Sequence, residues 1–126
     1  MIAVDTSALM AIVLGEAEAD ARIKVLAVET EVLVSAGTVA EALIVAAQRN
    51  VGEQMTSLID GLGFEIVTVT PVSARRIAQA YERWGKGLNP AGLNFGDCFA
   101  YEVAKEHSCR LFVGEDFLRT DVESVL

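Results

Sequence analysis

Three carboxylates in this chain stand alone in apolar surroundings. Asp5 is the only charged residue before Glu16, in MIAVDTSALMAIVLG. Glu41 is the only one between Glu31 and Arg49, and Asp97 the only one between Lys86 and Glu102. An isolated carboxylate among apolar residues is costly unless something compensates it. A fourth acid, Asp116, follows an apolar run in LFVGEDFLRTD. Brought together, four carboxylates repel one another, and without a counter-charge some would take up protons. Hard oxygen ligands of this kind suit Mg²⁺ or Mn²⁺, one ion or two, held by a few carboxylates with water and a substrate phosphate. The matching chemistry is metal-assisted phosphodiester hydrolysis, in which a metal-bound water attacks in line and the leaving oxygen is steadied.

Each acid also has a simpler reading. Thr38 with Glu41 is a T-x-x-E spacing and Asn94 with Asp97 an N-x-x-D spacing, so either acid could cap its own helix. Asp5 could cap the helix that follows it, and Asp116 could be a turn residue. The two roles are compatible, because a helix start both fixes a carboxylate and lowers its pKa. Thr6 and Ser7 are supporting candidates that could orient a metal water or a phosphate, or simply cap, and Asn94 could bond a catalytic carboxylate or cap. Thr120 with Glu123 is a further T-x-x-E pair, and Asp121 could be an outer metal ligand. His107 is the only histidine, far from any candidate nucleophile, so no Ser-His-Asp or Cys-His centre is indicated.

The elements that must position these residues alternate. Strands are expected at Met1–Val4, Glu31–Ser35, Phe64–Val69 and Arg110–Val113, with a short helical turn and a fifth strand in the tail from Glu115 to Leu126. Between them helices are expected at Ser7–Leu14, Glu18–Val28, Thr38 to about Asn50, Glu53–Leu62, Val72–Trp84 behind Pro71, and Phe95–His107. Strands separated by helices pair in parallel, which predicts one domain over residues 1–126. Its architecture is a three-layer α/β/α sandwich around a mostly parallel, about five-stranded sheet. Function in such sheets gathers at the carboxyl ends of the strands, where all four acids then lie along one edge.

Composition narrows the classes. The 126 residues carry 18 acidic and 10 basic side chains for a net charge of −8, which excludes a protein that coats nucleic acid by general electrostatics. A catalyst gripping phosphate through metal remains open, and an acidic surface suits a basic protein partner. The hydrophobic fraction of 52% and mean hydropathy of +0.40 are high for so small a domain, so a partner or second copy is expected to cover apolar surface. No apolar run is long enough to span a bilayer, so no membrane association and a cytoplasmic location are expected. Cys98 and Cys109 suggest buried free thiols. Arg83 and Lys86, with the glycines of the loop from Gly85 to Gly96, could form a mobile flap that contacts substrate, with an ordinary solvated loop as the alternative.

AVDTSAL at the start, Glu41 after the second strand, LNFGDCFAYEVAKE and LFVGEDFLRTDV together resemble a PIN-domain ribonuclease of the VapC toxin type, from type II toxin–antitoxin systems. The likeness covers essentially the whole chain, and Gly85 to Tyr101 is its most specific part. It implies that Asp5, Glu41, Asp97 and Asp116 form the acidic metal site, with Thr6 or Ser7 and Asn94 in support. It further implies Mg²⁺- or Mn²⁺-dependent cleavage of RNA, a homodimer, and inhibition by a VapB-type antitoxin. Asn89 and Gly92 stand where members often have a basic residue or His, and Glu115 where Asp or Asn is usual. The rival from another class is a catalytically silent PIN-fold module that binds protein; retention of all four acids argues against it. A dehalogenase-type phosphatase would need an Asp where Ser7 stands, and a receiver domain a phosphoacceptor Asp ending the third strand, which TVTPVS lacks.

Overall fold

The computed structural model describes residues 1–17, 19–113 and 120–124. In chain order these form β1 (Ile2–Val4), α1 (Thr6–Val13), α2 (Ala19–Val28), β2 (Val32–Ser35), α3 (Ala36–Gln48), α4 (Gly52–Gly61), β3 (Glu65–Val67), α5 (Pro71–Trp84), α6 (Phe95–Glu106) and β4 (Arg110–Phe112). The four strands make one sheet in the order β3-β2-β1-β4, and every pairing is parallel. β1 is central, and all three of its residues are buried.

Side chains alternate across a strand, so each strand feeds two cores. Ile2, Val4 and Phe112 face one side, where they pack with Leu9, Leu26, Ala42, Met55 and Ile59 from α1 to α4. Ala3, Leu33 and Leu111 face the other, against Ile77 and Ala80 of α5 and Cys98, Tyr101 and Val103 of α6. Apolar residues on both faces explain why the central strands read as continuous apolar runs. The result is the three-layer sandwich. Cys98 is buried and Cys109 half-buried, both as free thiols. No helix among the described residues is long and apolar enough to cross a membrane.

Several boundaries differ from the sequence reading. Among the described residues the sheet has four strands, not five. In the tail, Ser124 makes an isolated parallel bridge to Leu111, whose N–H donates to Glu123 O at 2.8 Å. A single bridge does not build a strand, although it lies on the free side of β4. Thr120 caps no helix among the described residues; its Oγ1 accepts from the Val122 N–H in a bend. The third helix begins at Ala36, directly after β2, with Ser35 as its cap accepting from the Gly37 N–H at 3.2 Å. Thr38 is therefore already inside the helix, and the Thr38–Glu41 capping box does not form. Its hydroxyl is buried with no partner. The cause is that β2 passes into α3 without a loop, so the last strand residue is also the cap.

Candidate active site at the carboxyl ends of the strands

The chain leaves β1 for β2 and β3 on one side, while β4 docks on the other, so the crevice beyond β1 and β4 is the topological switch point of the sheet. Asp5 occupies it. Its N–H donates to Phe112 O at 3.0 Å, tying the residue to the end of β4 as well as β1. It is the cap of α1: Oδ2 accepts from the Ser7 N–H at 3.1 Å and from Ser7 Oγ at 2.7 Å. The residue is 1% exposed, and its second oxygen, Oδ1, is buried without a hydrogen-bond partner. Burial pushes the Asp5 carboxyl up, the Ser7 hydrogen bonds pull it down, and the nearby charge of Glu41 adds to the rise; the balance is upward.

Glu41 reaches the same place from α3. Thr6 Oγ1 donates to Glu41 Oε1 at 2.6 Å, joining the starts of two helices that follow neighbouring strands. Its carboxyl also lies against Gly96 in the first turn of α6, and a Cβ on Gly96 would come within 1.9 Å of Glu41 Oε2. Asp97, the next residue, is 8% exposed and closes a capping box with Asn94. The Asn94 N–H donates to Asp97 Oδ2 and the Asp97 N–H to Asn94 Oδ1, both at 2.9 Å. The capping reading of Asp97 is thus geometrically correct, as it is for Asp5. Asp116, the fourth expected acid, lies outside the described residues, as does Glu115. Among the described residues no three His, Cys, Asp or Glu side chains cluster closely enough to hold a metal ion.

Asp121 belongs to a different network. Tyr101 OH donates to its Oδ1 at 2.6 Å, Lys105 Nζ to its Oδ2 at 2.9 Å, and Arg83 lies 3.8 Å away. Trp84 Nε1 donates to the Tyr101 oxygen at 3.0 Å, and the Arg83 guanidinium stands 4.6 Å from the centre of the Trp84 ring. This network fastens the tail to α5 and α6. Arg83 is engaged in it, whereas Lys86 is exposed at the start of the loop. Sequence reasoning missed Ser35 as the cap and Gly96 as the floor beneath Glu41. The signal for the latter was a glycine inside a helix, where alanine is favoured.

Residues 2–123 match the family model of the PIN domain. Over 126 residues the chain is 40% identical to Ribonuclease VapC36 of Mycobacterium tuberculosis, covering 95% of this chain and 90% of that one. It is 36% identical to Ribonuclease VapC of Mycolicibacterium smegmatis, covering 97% and 98%. The chain belongs to the VapC family of PIN-domain proteins. Its fold is also that of the solved VapC20 of Mycobacterium tuberculosis, described as a sarcin-ricin loop cleaving toxin. The TM-score is 0.73 at 17% identity, over 93% of this chain and 92% of that chain. A toxin–antitoxin complex from Klebsiella pneumoniae matches with a TM-score of 0.73 and 20% identity, over 100% and 97%.

Proposed function

We propose that the protein is a metal-dependent endoribonuclease and the toxin of a toxin–antitoxin pair. The observation that carries this reading is Asp5 Oδ1, a buried and unpartnered carboxylate oxygen at the switch point of the sheet, beside a second carboxylate. A buried acid held near another acid needs a cation or a proton. The donors are all hard oxygens, which fits Mg²⁺ or Mn²⁺, and the relatives named ribonucleases support the nuclease assignment.

Each side chain has a defined task. Ser7 holds Asp5 Oδ2, leaving Oδ1 to the ion. Thr6 orients Glu41, and Asn94 locks the backbone and carboxylate of Asp97. Asp116 joins them as the fourth acid on the strength of the sequence. A cation held by these acids would supply a water of lowered pKa and positive charge for the leaving oxygen. Lys86, and Arg83 from its place over Trp84, supply positive charge for the RNA backbone on an otherwise acidic protein. A VapB-type antitoxin is the partner, supported by structural neighbours that are toxin–antitoxin complexes. A homodimer covers exposed Leu43 and Ile44 of α3 and Ile66 of β3.

The test is cleavage of total RNA by purified, antitoxin-free protein, with and without Mn²⁺ or Mg²⁺, beside the Asp97→Asn variant. Discrete fragments that require metal and vanish in the variant are expected. Cleavage that persists in the variant or in chelator overturns the mechanism.

A further inference from the structure

Gly96 is a helical residue in the first turn of α6, and its backbone needs none of the conformations reserved for glycine. Glycine inside a helix is less favourable than alanine, so its presence calls for a steric reason. The reason is Glu41. A Cβ on Gly96 would meet Oε2, Cδ and Oε1 of Glu41 at 1.9, 2.4 and 2.5 Å. On its other side the same carboxyl accepts from Thr6 Oγ1.

We infer that Gly96 is a positioning residue: its missing side chain is the slot that lets Glu41 lie over the start of α6, and Thr6 fixes the carboxyl within that slot. A reciprocal contact lies one turn away. A Cβ on Gly37 of α3 would come within 2.2 Å of the Phe99 ring on α6. The two glycines differ in what would have to yield. Opposite Gly37 stands a ring packed against the core, so alanine there strains the crossing of the two helices. Opposite Gly96 stands the far end of a flexible side chain. An added methyl group therefore expels the carboxylate and leaves the helix in place.

The functional weight of this slot rests on the nuclease reading; the steric claim does not. The Gly96→Ala protein should melt at or above the wild-type temperature in metal-free buffer, while Gly37→Ala melts lower. In a crystal structure of Gly96→Ala the Thr6–Glu41 hydrogen bond should be broken, and Mn²⁺ affinity should fall by about 10-fold or more, the scale of lost ligand orientation. In a Glu41→Asp background, whose side chain is one methylene shorter, Gly96→Ala should change Mn²⁺ affinity by less than about 2-fold, because coupled positions are not additive. An intact Thr6–Glu41 bond in Gly96→Ala, or losses that simply add in the double variant, overturns the inference. Wild-type protein that binds no Mn²⁺ overturns the nuclease reading alone, and the crystal structure still decides the slot.

Discussion

Asp5 combines two demands that usually conflict. It caps α1 through Oδ2, a role that favours the ionised form, yet it is buried beside Glu41, which disfavours it. A carboxylate whose folded pKa is raised binds its proton more tightly folded than unfolded. Metal-free stability therefore falls as pH rises from the ordinary carboxylate range through the folded pKa, and the full penalty stands above it. Asn is also a good cap, so Asp5→Asn keeps the helix start while removing the charge. The variant should melt a few degrees higher than wild type in chelator at neutral pH, lose the thermal stabilisation by Mn²⁺ expected of wild type on the proposed reading, and cleave RNA more than about 100-fold slower. Thermal melts with and without metal check this, and a lower melting point in chelator would show that the charge is already compensated within the protein. Both Asp5 and Asp97 were legible in the sequence, because a lone acid at a strand end or a helix start is a local pattern. Gly96 was not, since what makes it necessary is a side chain on another helix.

At the scale of elements, the junction between β2 and α3 separates what local spacing could and could not reveal. Thr38-x-x-Glu41 has the spacing of a cap, but caps are decided by where the strand stops, and β2 stops only where its pairing with β1 and β3 ends. Pairing of that kind is long-range and leaves no mark in a short window. Ser35→Ala should cost about 1 kcal/mol of stability, the usual penalty for losing a cap. Thr38→Val should instead raise stability by up to about 1 kcal/mol, because it replaces a buried, unpaired hydroxyl with a methyl group of similar shape. Urea denaturation of the two variants distinguishes them, and the opposite order would restore Thr38 as the cap. The strands and most helices were legible because their apolar periodicity is strong, and their ends moved by only a residue or two. The expected fifth strand does not form among the described residues, where the tail meets the β4 edge through an isolated bridge at Leu111, a limit that pairing sets and apolar pattern does not.

For the whole molecule, part of the exposed apolar surface lies on α3 and β3. Leu43, Ile44 and Ile66 are 37%, 59% and 51% exposed on α3 and the edge strand β3. If two copies meet there, Ile44→Glu should shift the mass by light scattering from twice 13.5 kDa to the monomer value without changing the melting of the fold by more than a few degrees. A variant that stays dimeric would move the interface elsewhere.

The position of β1 in the middle of the sheet has a consequence in time. β1 is central, yet one of its two partners, β4, is made only long after it: Ile2 waits for Arg110. A growing chain carries Asp5 and Glu41 early, but Asp97 and the Phe112 carbonyl that tethers Asp5 only late. On the proposed reading, a nuclease cannot assemble its centre until its chain has been made through Phe112. A message broken before that point yields a fragment that holds Asp5 and Glu41 but lacks the strand that tethers them into a centre.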